Sequence, residues 1–241
     1  MSRFVKNITL LSLACFVFGA KTQLPKIKNL QDFDERKYHF GFLLGYNSSD
    51  FVITHHPGNL PFDTTLAIRN YRKPGFNLGI ISSLKLTNGV RLRFLPSLAF
   101  QDREVEYRFY SPGRDTIFSM TKKPEPTYLE FPLLLKFRTN RINNWASYVL
   151  AGGKYGIDMS SDIKTSNSGP PETQVLKIKK TDLTYEIGGG FDFFLEYFKL
   201  GLELKLSMGA INILYPEPSA FSSPIDKLRS RTWTFSITFE G

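Results

Sequence analysis

The side chains with the greatest chemical potential are carboxylates and histidines, and their spacing does not favour an active site. Glu186 and Asp192 could act as an acid–base pair, but basic residues are so numerous nearby that mutual neutralisation is the simpler interpretation. The adjacent His55 and His56 could bind a metal, although neighbouring histidines in an exposed loop seldom do so. The three glycines at 188–190 lack the following helix and lysine of a phosphate-binding loop. We therefore expect no catalytic residue, no metal site and no cofactor, and we predict that the protein is not an enzyme.

The elements that position these side chains are β-strands. Apolar and polar residues alternate along eight segments, which is the period of a strand. In the first segment, for example, Phe40, Phe42 and Leu44 share one face. Glycines between 152 and 156 blur the two faces of the fifth segment, so its register cannot be read. The predicted strands are 38–47, 75–86, 90–101, 128–138, 145–157, 182–194, 198–207 and 232–239.

Charges are segregated between the two faces of these strands. With the fifth strand set aside, the apolar faces carry no charge, although 22% of all residues are charged. A Lys or Arg facing lipid at the bilayer midplane would cost about 2–4 kcal/mol, so a lipid-facing surface explains this segregation. The charges lie instead on the opposite faces: Lys85, Arg91, Arg93, Glu130, Lys136, Arg138, Asp182, Glu186, Asp192, Lys199, Glu203 and Lys205.

The connections between the strands separate a membrane barrel from a soluble one. A soluble sandwich or lipocalin-type barrel would also show alternation. Here three short turns alternate strictly with four much longer connections, as in outer-membrane barrels with tight periplasmic turns and longer extracellular loops. We predict an all-β protein, an eight-stranded antiparallel transmembrane barrel of the outer membrane over residues 38–241. An even number of strands then places the N- and C-termini in the periplasm.

The N-terminus predicts export from the cytoplasm. Arg3 and Lys6 precede an apolar run that is too short to span a bilayer, which is typical of a signal peptide over residues 1–20. Residues 21–37 then form a periplasmic lead-in. The net charge of +9 would suit nucleic acid or anionic lipid headgroups. Export leaves outer-membrane lipid and lipopolysaccharide as the expected partners, and no nucleic acid.

Charges that point into an eight-stranded barrel must pair, because its interior is filled by side chains and an unpaired buried charge is costly. We predict salt bridges between residues of the fourth and sixth strands that lock the barrel. The alternative is a proton relay or a narrow polar path. The predicted network comprises Arg91, Arg93, Glu130, Lys136, Arg138, Glu186, Asp192, Glu203 and Lys205.

Two further features concern the barrel wall and its loops. Pro96 and Pro132 lie within predicted strands, where each removes a hydrogen-bond donor, so we expect a bulge at both. Lys122, Lys123 and the lysines at 177, 179 and 180 lie in long connections, where they could meet lipopolysaccharide phosphates.

Several stretches of the chain resemble the PorT family, outer-membrane barrels of the type IX secretion system of the Bacteroidetes. The more particular ones are Asn29-Leu30 with Phe33-Asp34, and the turn 141–144 with the sequence Arg-Ile-Asn-Asn. Similar patterns are 40–47, 75–79, 92–94, 131–137, 185–190 and 196–198.

The resemblance implies a non-enzymatic component or accessory of that machinery, with other secretion proteins as partners and a role in gliding motility where the organism glides. It implies no catalytic residues. Phe33 and Asp34 are the candidate residues for partner docking, and the alternative is that their segment only caps the barrel. The competing function is a small outer-membrane barrel for lipid or solute handling, including an outer-membrane enzyme.

Overall fold

The strands of the computed structural model form a closed antiparallel barrel. The structure describes residues 28–55, 65–111, 116–124, 126–160, 176–215 and 221–241. The predicted signal peptide, and the lead-in as far as residue 27, lie outside this part. Within the described residues no helix is both long and apolar enough to cross a bilayer. The elements are a 3-10 helix, Gln31–Asp34, and the strands β1 (Tyr38–His55), β2 (Thr65–Lys85), β3 (Val90–Phe94), β4 (Ser97–Ser111), β5 (Thr116–Lys122), β6 (Thr127–Arg138), β7 (Trp145–Asp158), β8 (Thr181–Phe194), β9 (Lys199–Gly209) and β10 (Ile225–Glu240).

Nine of these ten segments make a ring of eight strands. β3 and β4 both pair with β2 on one side and with β6 on the other, so together they occupy a single position in the ring. β1 pairs with both β2 and β10, which closes the barrel. β5 pairs with β4 as a hairpin outside the ring. The prediction of an all-β, eight-stranded antiparallel barrel is confirmed.

The break between β3 and β4 contains one proline and lies next to a second. Pro96 lies in the break, and its carbonyl accepts a hydrogen bond from Ile80 N at 3.0 Å. Pro132 lies inside the uninterrupted strand β6, one residue out of register with Pro96, and its carbonyl accepts a hydrogen bond from Leu95 N at 3.1 Å. The expected irregularity is therefore present at Pro96 and absent at Pro132. Pro132 cannot return a hydrogen bond to Leu95, so the ladder lacks one bond beside the break.

Short and long connections alternate as predicted, but several strands are longer than predicted. At one end of the barrel, the turn end, lie the short connections 86–89, 139–144 and 195–198. At the other, the loop end, the strands of the ring end at residues that are joined in the sequence by 56–64, 112–126, 159–180 and 210–224. β1 continues to His55 and β2 begins at Thr65, so the first long connection is much shorter than the sequence indicated.

The strand extensions were missed because the polarity of the barrel wall reverses near the loop end. On β10, Trp233 and Phe235 face outward and are exposed, as expected of a lipid-facing surface. Further along the same strand the exposed residues are Lys227 and Arg229, while Leu228 is fully buried. The interior at this end is an apolar cluster, the loop-end core, composed of Phe51, Val105, Tyr107, Phe109, Leu176, Ile178, Ile213, Phe221, Ile225 and Leu228. We infer that this part of the barrel stands in water, outside the lipid.

Candidate functional site in the barrel interior

Ion pairs between fully buried side chains cross the middle of the barrel. Arg93 of β3 contacts Glu203 of β9, and it also contacts Glu240 of β10 at 3.2 Å. Lys199 lies 2.8 Å from Glu240 and 3.8 Å from Asp192 of β8. Because each carboxylate faces at least one cation, these charges are compensated without water.

A second part of this network joins β6 to β8. The Nζ atom of Lys136 donates to both carboxylate oxygens of Asp192 at 2.8 Å. The same ammonium lies 3.5 Å from the centre of the Tyr148 ring, and the Tyr148 hydroxyl donates to Glu203 at 3.0 Å. Tyr148 therefore connects the Lys136 pair to the Arg93 pairs, so that the central charges form one network.

Gly190 provides the space that Tyr148 occupies. A methyl group at Gly190 would meet the Leu202 carbonyl oxygen and would lie 2.7 Å from the Tyr148 hydroxyl. We expect Gly190→Ala to destabilise the barrel by about 1–3 kcal/mol through overpacking, measured as a lower urea midpoint in detergent micelles. The matched control is Gly153→Ala, because a methyl group there has its nearest neighbour at 3.9 Å. Equal midpoints for the two variants would contradict the prediction.

A third group of charges lies nearer the loop end. Lys154 of β7 lies 2.8 Å from Glu130 and 3.3 Å from Glu186. Gln101 donates to Glu130 at 2.7 Å, and Ser207 donates to Glu186. A single ammonium thus compensates two carboxylates, and the neutral side chains satisfy further acceptor sites.

Of the nine residues predicted for the interior network, six take part in the pairs described so far, and three are arranged differently. Lys205 is buried and lies 3.7 Å from Glu203 of its own strand. Arg138 pairs with Asp34 of the lead-in at 2.5 Å, and Arg91 donates to the Asp34 carbonyl at 3.4 Å. The predicted contact between the fourth and sixth strands is direct for Lys136 with Asp192, whereas Glu130 and Glu186 meet only through Lys154.

Four members of the network were not identified from the sequence. Lys154 was missed because the glycines around it hid the register of its strand, in which even-numbered residues face inward. Tyr148 was missed for the same reason. Glu240 lies just beyond the last predicted apolar residue, and Lys199 was recognised only as an inward charge. The alternation of β10 continued by one residue would have found Glu240.

The lead-in folds into the turn end of the barrel as a cap. Phe33 is 3% exposed and stacks on His39 at 3.8 Å between ring centres, with Phe194 edge-on at 5.9 Å. The Lys199 ammonium lies 4.9 Å from the centre of the Phe33 ring. Phe33 therefore covers the charge network, and its burial favours the cap over direct docking through this ring.

Asn29 of the lead-in and the turn 141–144 contact each other at this end. The N–H of Asn29 donates to Asn144 Oδ1 at 2.9 Å, and its side chain donates to the Phe194 carbonyl at 3.0 Å. Arg141 donates to the Asn29 carbonyl and to Asn144 Oδ1, and its guanidinium lies 3.8 Å above the Phe194 ring. We call this arrangement of Asn29, Arg141, Asn144 and Phe194 the latch. It attaches the lead-in to the β6–β7 turn.

Asp34 makes the attachment of the cap pH-dependent. Burial raises the pKa of its carboxyl, but the hydrogen bond and charge of Arg138, together with the charges of Arg141 and Arg91, lower it by more, so the pKa lies below its usual value. The ionised Asp34 carboxylate stabilises the folded state fully above the usual carboxyl pKa. This stabilisation is lost as the pH falls through the lowered pKa of Asp34 in the folded protein. We expect the melting-temperature difference between wild type and Asp34→Asn to shrink as the pH falls from 6 to 3. A difference that does not change with pH would contradict this assignment.

Of the three histidines the structure describes two, and they lie near opposite ends of β1. His39 is buried against Phe33, His55 ends β1, and His56 lies outside the described residues. In the part of the chain that the structure describes, no group of three or more His, Cys, Asp or Glu side chains is placed to hold a metal ion.

Comparison with known proteins gives a family match and several similar solved structures. The family model described as "Outer membrane protein beta-barrel domain" matches residues 26–215. No curated protein gives a significant match. Among solved structures, OprG of Pseudomonas aeruginosa is 12% identical with a TM-score of 0.49, covering 90% of this chain and 98% of its own. The Yersinia pestis attachment invasion locus protein Ail, solved with the heparin analogue sucrose octasulfate, is 13% identical with a TM-score of 0.37, covering 86% and 100%. Neisserial surface protein A is 10% identical with a TM-score of 0.38, covering 82% and 95%.

The family match covers most of the chain, and it agrees with the closed ring of strands and with the uncharged, exposed apolar band around it. A barrel of this family resides in the outer membrane. The chain belongs to the outer membrane protein beta-barrel family.

Proposed function

We propose that the protein is a non-enzymatic accessory of the type IX secretion machinery, anchored in the outer membrane and acting through its ends rather than as a conduit. The observation that carries this proposal is the filled interior. The loop-end core, the central charge network and the Phe33 cap occupy successive levels of the barrel. Neither a folded protein nor an extended chain fits past these levels.

The link to type IX secretion rests on the resemblance to the PorT family, and the position of the matching residues supports it. The latch and the cap contain the stretches that most resemble that family. A segment that merely led into the first strand would need no specific side chains. Ordered side chains at the turn end therefore support a role for this end in contacting other secretion proteins.

We further propose that the turn end and both termini face the periplasm, as in outer-membrane barrels with short periplasmic turns. Docking would then involve the exposed residues next to Phe33 and Asp34, with Phe33 holding them in place from inside. Those residues are Asp32, Glu35 and Arg36, and Tyr197 of the β8–β9 turn, at the same end of the barrel, is 86% exposed.

A purified barrel with this interior should not conduct ions. In planar bilayers we expect no stable conductance from the wild type, because the charge network and the loop-end core leave no continuous water path. Regular open channels in the wild type would contradict the filled interior and would favour solute handling.

Deletion of the gene is the complementary measurement. Loss of secreted proteins with unchanged membrane permeability is expected, whereas normal secretion with altered permeability or lipid composition would favour the alternative function.

Surface variants separate docking from folding at the turn end. Asp32, Glu35 and Arg36 replaced together by alanine should leave heat stability unchanged, since these side chains are exposed, yet should reduce secretion if partners bind here. The matched control replaces Lys227 and Arg229, exposed at the loop end, by alanine. Unchanged secretion in the first variant, or an equal loss in the control, would rule out docking at this surface.

A further inference from the structure

The outward face of three neighbouring strands carries a preorganised cationic site where the apolar band ends. Asp50 of β1 is only 4% exposed although its neighbours of the same parity, such as Tyr46, face outward. Arg231, its direct partner on β10, donates to both Asp50 oxygens, at 2.8 and 2.6 Å. Arg72 of β2 donates to Asp50 Oδ2 at 2.8 Å from the other side. We call these three residues the arginine clasp.

The clasp leaves donors available. Arg231 binds Asp50 through Nε and Nη2, and Arg72 binds it through Nε alone. Each guanidinium carries five N–H groups, so several remain on the two residues together. Among the described residues none of these remaining N–H groups has another acceptor. The side chain of Arg72 is 48% exposed and that of Arg231 is 35% exposed. One carboxylate thus fixes two cations, and the site keeps a net positive charge.

The position of the clasp relative to the bilayer identifies the ligand. From Tyr38 to Asp50, β1 rises about 40 Å along its length, or about 30 Å along the normal at the tilt of such barrels. That height matches the hydrocarbon thickness of a bilayer, about 30 Å. Immediately below the clasp the same outward faces carry Tyr46, Phe76 and Trp233, all exposed. Donors that lie directly above an apolar surface suit a molecule with a phosphate attached to acyl chains.

The lysines predicted to meet lipopolysaccharide are placed less favourably. Lys179 donates to the Asn212 carbonyl, and Lys122 lies 4.5 Å from the centre of the Phe221 ring, so both contact the loop end itself. Lys73 and Lys123 share Glu104, at 2.8 and 3.9 Å, on the outward face of the neighbouring strands. These two residues add positive charge beside the clasp.

From this geometry we propose that the arginine clasp of Arg72, Asp50 and Arg231 binds a phosphate of the phosphorylated glycolipid in the outer leaflet, whose acyl chains lie on the apolar band below. Arg binds phosphate through paired N–H groups, and fixing the side chains in advance reduces the entropy lost on binding. The assignment to the outer leaflet rests on the orientation proposed above. Binding by purified protein depends on neither that orientation nor the role in secretion.

Titration of the purified barrel with bisphosphorylated lipid A in detergent, followed by native mass spectrometry, tests the clasp. We expect Arg72→Gln with Arg231→Gln to weaken binding by about tenfold or more, as for loss of charged hydrogen bonds. Lipid A lacking both phosphates should bind the wild type about as weakly as bisphosphorylated lipid A binds this variant. Lys227→Gln on β10 is the matched control, and it should bind as the wild type does. Equal weakening in the control would overturn the proposal.

Asp50→Asn distinguishes the clasp from general electrostatic attraction. This change makes the barrel more positive, so non-specific attraction predicts tighter binding. The clasp predicts weaker binding, because the carboxylate that positions both arginines is lost. Binding as tight as the wild type or tighter would overturn the proposal.

The double arginine variant leaves Asp50 buried and unpaired, so a triple variant is measured beside it. This variant combines Asp50→Asn, Arg72→Gln and Arg231→Gln. Wild-type affinity in that folded protein would also overturn the assignment.

Discussion

Arg93→Met is expected to destabilise the barrel by about 3–5 kcal/mol, the cost of removing one partner from a buried ion pair. The side chain of Arg93 is completely buried, and it contacts both Glu203 and Glu240. Methionine has a similar length but no charge. The nearest cation left to compensate Glu203 would then be the more distant Lys205, at 3.7 Å. Equilibrium unfolding in urea, in detergent micelles, measures the loss.

The control for this prediction is a substitution of the same type on the outer wall. Arg229 is exposed at the loop end, and Arg229→Met should change the unfolding free energy by about 0.5 kcal/mol or less. A double variant with Arg93→Met and Glu203→Gln should recover part of the stability, because it keeps the net charge of the network and leaves Glu240 paired with Lys199 at 2.8 Å. If Arg93→Met were as mild as Arg229→Met, the charge network would not lock the barrel.

The lipid-facing half of the fold was predictable from sequence because one physical rule acts along it without interruption. Residues such as Phe40 and Phe235 meet hydrocarbon, which excludes charge at every second position of every strand. That rule indicated the inward faces of all the predicted strands except the fifth. It stops at the clasp, where the outward residues meet water and the interior becomes apolar. The extensions of β1 and β2 beyond the membrane therefore could not be read from the same alternation.

The sequence predicted that the interior would hold paired charges, but it identified only some of the residues that form the pairs. Inward charges must pair, and alternation identified most of them, including Lys136 and Asp192. Which charges pair depends on how far each side chain lies along the barrel axis. The spacing of residues in the sequence does not give these positions, because neighbouring strands are shifted relative to one another. Arg138 illustrates this, since it lies too near the turn end to reach across the barrel and pairs with Asp34 instead. Lys154 was not identified because the neighbouring glycines have no side chains, so the alternation of polar and apolar residues cannot be read in that strand.

The closure of the turn end was the least predictable feature, because it depends on a segment with no periodicity. Nothing in the spacing of residues 28–37 indicates that Phe33 enters the barrel. Its burial follows from a vacancy that only the folded barrel creates, between the rings of His39 and Phe194. Asn29, Arg141 and Asn144 of the latch follow no periodicity either, and their mutual hydrogen bonds form only in the folded barrel.

Phe33→Ala should open this end of the barrel. Replacing a buried Phe by Ala typically costs about 3–5 kcal/mol, and the ring also excludes water from Lys199 and the charges behind it. We expect a lower urea midpoint together with faster amide hydrogen exchange in residues 28–37, while the strands of the ring stay protected. This combination would show that the cap opens separately from the barrel.

Ile142→Ala is the matched control for the Phe33 variant, because Ile142 lies at the same end and is 56% exposed. It should leave both the midpoint and the exchange of residues 28–37 unchanged. Secretion then tests what the cap contributes to function. If Phe33→Ala opens the cap and secretion fails while the barrel still assembles, the ordered lead-in is needed by the secretion machinery. If residues 28–37 exchange no faster than in the wild type, Phe33 does not hold the cap, and the turn end must be closed by the latch alone.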